Sequence, residues 1–179
     1  MIYIVGLIFI LYSESFKNSL LSFRNLDFGK GDSLLNVAFF ESDSLLKNDI
    51  LFIKEILTRY RSSDEVKRLA EYYLRFYFAY TIKSQLPEKS EGNTSDFLNY
   101  LKLLDNLSQK DVSFQTCKKL LDTMSDTLLL FHGAFLTAKR FKSYNKDECI
   151  NLLNELIKNY PQTPYSEIAS GYLRVIKSD

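Results

Sequence analysis

Cysteine and histidine carry much of the nucleophilic and metal chemistry of proteins, and this sequence holds few of either: Cys117, Cys149 and a lone His132. The two thiols lie far apart without metal-ligand spacing, and one imidazole completes a zinc site only if the fold gathers all three. A Cys–His nucleophilic pair needs a thiol at an electropositive turn or a strand end. Both cysteines instead fall on apolar helical faces, where a buried thiol behaves as a small hydrophobe. A disulfide between them stays open if the chain is exported. Gly29-Lys30-Gly31-Asp32 is glycine-rich but has no strand before it and no Gly-Lys-Ser/Thr, so it reads as a hinge, not a phosphate loop. Lys118-Lys119 and Lys139-Arg140-Phe141-Lys142 are small basic groups. The second is of a kind that touches phosphate or anionic lipid, but it equally suits a solvated helix end, where cations complement the dipole. His132 follows Phe131 at the edge of an apolar face. These residues imply no enzyme, no cofactor and no metal.

The elements that position these residues are helical. Of 179 residues 46% are hydrophobic, and glycine (6) and proline (3) are too few for a sheet with many tight turns. Lys and Arg (23) nearly cancel Asp and Glu (22), so no global basic field favours nucleic acid. Apolar spacing predicts a short helix over 16–28, ended by the Gly29–Asp32 hinge, and a mixed segment over 33–40. It then predicts a helix capped by Asp43 or Ser44 and running to Tyr60, and another capped by Asp64 and running to Ser84. The polar stretch 85–96, with Pro87 and Gly92, is the clearest loop and separates two helical blocks. A helix over 96–107 follows. Phe114, Cys117, Leu121, Met124, Leu128, Phe131 and Phe135 then alternate steps of three and four, which predicts one long helix, capped by Asp111 or Ser113 and bent near Gly133. Met124 in that stripe is core filler.

Met1–Tyr12 is apolar and uncharged. It is short of the ~20 residues of a membrane span and has the length of a signal-peptide core. Ser13-Glu14-Ser15 offers a small-x-small cleavage site, so residues 1–15 are expected to be a signal peptide cut after Ser15, ahead of a single helical domain over 16–179. No Lys or Arg precedes the apolar run, Glu14 is unusual near such a site, and no cysteine follows for lipid attachment.

The organising stretch is Cys149–Lys177: a helix, a break at Pro161 and Pro164, and a second helix. It has an upstream echo. Ile50, Glu55 and Tyr60 match Ile150, Glu155 and Tyr160, and Phe52, Ile53, Ile56 and Leu57 match Leu152, Leu153, Leu156 and Ile157. After a one-residue slip, Ala70, Tyr73, Leu74 and Arg75 match Ala169, Tyr172, Leu173 and Arg174. Recurring helix pairs are a mark of solenoids. Tyr144 to Cys149, Leu152 to Tyr160, the Pro161-Gln162-Thr163-Pro164-Tyr165 turn and Ala169 resemble a tetratricopeptide repeat. The variant is similar to that of bacterial envelope proteins of the β-barrel-assembly-lipoprotein and Tol–Pal-coordinator type. Cys149 stands where alanine is usual, and the upstream copy has Arg61-Ser62-Ser63-Asp64 instead of the proline turn.

The resemblance implies an all-α fold of antiparallel helix pairs in a right-handed solenoid. It also implies a monomeric scaffold, non-enzymatic, that binds a protein or peptide in a helical groove in the periplasm or cell envelope. In that family the helix after the turn lines the groove, which places Tyr72 and Phe78 there as partly exposed anchors with Arg75 at a polar rim. A neighbouring helix covering those rings is the competing expectation. The alternative function is a cytoplasmic or membrane-associated helical regulator that meets nucleic acid or lipid through its basic helix end.

Overall fold

The computed structural model describes residues 13–81 and 95–178, and every regular element among them is a helix. The chain divides into two compact units, Met1–Gln85 and Leu86–Asp179, where the sequence suggested one repeat domain. Residues 1–12 of the expected signal segment and most of the 85–96 loop lie outside the described residues.

Unit 1 holds α1 (Glu14–Arg24), α2 (Phe28–Glu41), α3 (Ser44–Arg59) and α4 (Ser63–Phe78). The break after α1 falls earlier than the glycines suggest. Leu26 takes a left-handed conformation (φ 62°), and the Asp27 and Leu26 N–H groups donate to the Ser22 and Phe23 carbonyls. That pairing closes a helix C-terminus, with leucine where glycine is usual. Asp27 then caps α2 by accepting from the Lys30 N–H at 3.2 Å. The expected Gly29–Asp32 hinge is therefore the first turn of α2. Gly31 has a packing reason, since a Cβ there would sit 2.9 Å from the Phe23 ring.

Asp43 caps α3, as its position suggested, by accepting from the Leu46 N–H. The cap of α4 is Ser62, not Asp64, in a reciprocal box with Glu65. Ser62 lies three residues before a glutamate, and Asp64 does not. α4 stops at Phe78, short of Ser84, because Ala79 turns left-handed (φ 50°) and its N–H donates to the Leu74 carbonyl. The core of unit 1 forms on α4. Phe16 of α1 meets Tyr77 and Phe78 at ring-centroid distances of 5.1 and 5.7 Å. From α3, the Asp49 carboxylate accepts from the Tyr77 hydroxyl at 3.0 Å.

Unit 2 holds α5 (Ser95–Leu107), α6 (Phe114–Leu121), α7 (Thr127–Phe141), α8 (Lys146–Asn159) and α9 (Pro164–Ser178). The single long helix expected from Phe114 to Phe135 is two. Ser113, one of the two expected candidates with Asp111, caps the first. Asp126 caps the second by accepting from the Leu128 and Leu129 N–H groups. Ser and Asp side chains compete for backbone donors and break a helix that the apolar stripe alone would continue. Met124, in the break, stays buried. Gly133 marks close packing: a Cβ there would lie 2.6 Å from Leu103 and 2.9 Å from Leu121. α7 packs against α5, α6, α8 and α9, and all but three of its 15 residues are buried.

Asp96 ties α5 to the start of α7. Its carboxylate, nearly buried, accepts from the Ser125 N–H, the Ser125 hydroxyl and the Asp126 N–H at 3.0, 2.8 and 2.6 Å. Asp96→Ala leaves two inward backbone donors without that acceptor. We expect it to cost about 2–4 kcal/mol, read as a lowered urea midpoint of the full chain. An unchanged midpoint would show that these bonds contribute nothing net.

Candidate functional site

The aromatic site expected on α4 does not form a free surface. Tyr72 is 1% exposed, so the partly exposed anchor is corrected to a core residue. Phe78 is half-buried against the Phe16 ring, and Arg75 is half-buried. α4 is apolar on more than one face because more than one helix covers it. At Phe78 the covering helix is α1. Beyond Phe16, it supplies Arg24, whose Nε donates to the Glu71 carboxylate at 3.2 Å and whose guanidinium stacks 5.4 Å over the Tyr80 ring.

The cysteines are free and buried, Cys117 on α6 and Cys149 on α8. Burial pushes the Cys117 thiol up to about 12, against a smaller opposing pull from Arg140. Burial, helped by the Glu148 charge, pushes the Cys149 thiol up to about 11. Thiolate is the nucleophile, so both groups are poor ones near neutrality. His132 is not at the edge of an apolar face but fully buried, with Nδ1 2.6 Å from the Tyr100 hydroxyl. Among the described residues no group of three or more His, Cys, Asp and Glu is placed to hold a metal ion.

The basic groups are drawn into the fold. Arg140 donates to the Gln109 and Lys110 carbonyls just past α5, and Phe141 beside it is buried. Lys118 bridges Asp122 at 3.0 Å and Glu155 at 3.3 Å, which ties α6 to α8. Within unit 2 an open groove runs between α5 and α6, lined by Lys102, Asp105, Asn106, Thr116, Lys119 and Leu120. Its lining combines two lysines, one aspartate, two uncharged polar residues and Leu120. Sequence reasoning missed it because the groove exists only where two helices meet.

The repeat alignment pairs some positions of matching burial and others that differ, since Ile50 and Leu57 are buried where Ile150 and Ile157 are half-buried. Ala70 and Ala169 are both fully buried; Tyr73 and Leu74 are buried as Tyr172 and Leu173 are. Tyr60 and Tyr160 each end a helix by donating N–H to the carbonyl four residues back, Ile56 and Leu156, at 2.9 Å. Tyr60 is buried; Tyr160 is half-buried, its ring 5.8 Å from Phe131. No protein-family model matches this chain, and no curated protein or solved structure matches it. Any support for a repeat therefore comes from residues of this chain alone.

Tyr72→Ala is expected to destabilise unit 1 by ~3–5 kcal/mol, as truncation of a buried large aromatic does. A variant with the parent's urea midpoint would return Tyr72 to the surface. The thiols add a pH dependence. Their folded pKa values lie above the ordinary 9.0, so above that pH the unfolded chain releases protons that the folded chain keeps. They leave stability unchanged below pH 9.0 and lower it as pH rises toward 11–12. A Cys117→Ala, Cys149→Ala protein should lose less stability between pH 8.5 and 10.5, roughly the window that linkage sets. Equal losses would mean that the thiols titrate normally.

Proposed function

We propose that this chain is a non-enzymatic interaction scaffold of the bacterial cell envelope, built on tetratricopeptide-like helix pairs of a right-handed solenoid and holding a protein or peptide in a helical groove. The observation that carries the reading is the recurrence of helix, tyrosine cap, turn and helix at 44–78 and 146–178, with the Ala70/Ala169, Tyr73/Tyr172 and Leu74/Leu173 pairs buried in both. Repeat scaffolds act through surface, not through a reactive group. The buried thiols and enclosed imidazole agree with that mode of action. The reading takes the α5–α6 groove as the partner site in place of Tyr72, Arg75 and Phe78; Lys102 and Lys119 outnumber Asp105 there, which supports a partner segment carrying carboxylates. The apolar Met1–Tyr12 run supports export. The alternative, a regulator meeting nucleic acid or lipid through Lys139–Lys142, loses support because Arg140 and Phe141 serve internal packing.

The test is photo-crosslinking in cells of the source bacterium, with the probe at Lys102 or Lys119 and a control probe at exposed Lys177. A discrete protein adduct in the envelope fraction from the groove probes, weakened by Lys102→Glu with Lys119→Glu, is the expected result. Adducts equal at all three positions, or only to nucleic acid, would overturn the reading.

A further inference from the structure

His132 is the single histidine of the chain, and the fold encloses it completely. Its Nδ1 lies 2.6 Å from the Tyr100 hydroxyl, and the two ring centroids are 6.0 Å apart. The pair joins α7 to α5. Packing beside it is tight: a Cβ on Gly133 would come within 2.6 Å of Leu103 and 2.9 Å of Leu121. In either tautomer of the neutral ring, one proton serves the contact between Tyr100 and His132. A further proton makes the ring a cation with two N–H donors, in a place that solvent does not reach. Burial of a charge is costly there in a way that burial of the neutral ring is not.

Four helices surround α7, and each contributes titratable groups. Among the described residues, those buried are Asp96 and Tyr100 on α5, Cys117 on α6, Cys149 on α8 and Tyr172 on α9. The thiols and tyrosines are uncharged in mild acid. Asp96 is the one buried carboxylate of the set, and it is engaged at the start of α7 by Ser125 and Asp126. Asp126, the α7 cap, stands six residues before His132, about 9 Å along the helix. An opposite charge favours the charged form strongly only within ~4–6 Å, whereas full burial disfavours it by the larger amount. Lys139 and Arg140 in the last turn of α7 are like charges to an imidazolium. The charges of α6 and α8 meet each other, Lys118 with Glu155, while Glu148 accepts from Gln115. Glu167, Arg174 and Lys177 of α9 are exposed.

We propose that the Tyr100–His132 pair is an acid-sensitive latch: protonation of His132 releases α5 from α7 and loosens unit 2, while unit 1, which has no histidine, lacks this step. The folded chain keeps the imidazole neutral where the unfolded chain takes up a proton, near the ordinary histidine value of about 6.5. Stability from this group is therefore full above that pH and is lost as pH falls below it. One proton makes the loss up to about tenfold in the folding equilibrium of unit 2 per pH unit. Histidine is the one side-chain type whose ordinary value lies between those of carboxylates and thiols, so this window reports a single residue. α5 is also one wall of the α5–α6 groove, so its release dismantles that wall whatever the groove binds. The latch stands apart from the identity of any partner, and either can fail alone.

Proton NMR of the full chain reads the one histidine directly. Its ring resonances in the folded protein should not titrate between about pH 7 and pH 5, the span around the ordinary value. An ordinary midpoint with the fold intact overturns the proposal. Amide hydrogen exchange, corrected for intrinsic rates, should show α5 and α7 losing protection by about 10–30-fold over that span, the linkage of one proton. α4 should keep its protection within about twofold, since its unit holds no group that titrates there. His132→Gln keeps a polar side chain toward Tyr100 without the titration, and its unit 2 should be as flat as α4. Equal losses in parent and variant, or in both units, refute the latch. The NMR readout needs no substitution, so it decides the matter even where His132→Gln does not fold.

Discussion

Each unit depends on one helix too apolar to leave a whole face to water. In unit 1 it is α4, where Tyr72, Tyr73, Leu74 and Tyr77 are consecutive or nearly so and all essentially buried. In unit 2 it is α7, apolar on every side. Such a helix cannot be satisfied by a single partner. α4 takes Phe16 from one neighbour and Asp49 from another, while α7 is enclosed by four helices. The shorter helices α1 and α6 are marginal in isolation and are held by what they cover.

Polar groups inside these cores fix which covering arrangement is adopted. Tyr77 with Asp49, Arg24 with Glu71, Tyr100 with His132, and Asp96 with the Ser125–Asp126 backbone each join residues distant in sequence. A buried polar group without a partner costs about 1–3 kcal/mol, so each pair penalises a slipped register. The same enclosure explains the chemistry. Cys117, Cys149 and His132 are all buried, and burial raises both thiols further above neutrality.

The two tyrosine-capped helix pairs show how one local solution serves different sequences. After Tyr60 the next helix is started by a Ser62–Glu65 box; after Tyr160 it is started by Pro164 in its first turn, with Ser166 bonded back to Thr163. Both devices handle the donors exposed at a helix N-terminus, one by pairing them and one by removing a donor. The alanine and tyrosine columns that follow are buried in both.

The sequence by itself determined the helical class, the tyrosine-ended helix pairs and the burial of Cys117 and Cys149, and narrowed two helix caps to Asp43 or Ser44 and to Asp111 or Ser113. These follow from period, capping chemistry and side-chain type, which are local. It could not determine that the stripe from Phe114 to Phe135 breaks at Asp122–Asp126. A heptad pattern runs across such a break unmarked, and the acceptor that secures it, Asp96, lies on another helix. Nor could it determine whether Tyr72 and Phe78 meet solvent. Their spacing shows a second apolar face on α4, but whether a partner or a neighbouring helix covers it depends on where the other helices pack. At Phe78 that was decided by Phe16 of α1 reaching its ring, while Tyr72 is enclosed in the core of unit 1. Tertiary structure decided the site because exposure is a property of neighbours, and neighbours across tens of residues leave no periodic trace in the chain.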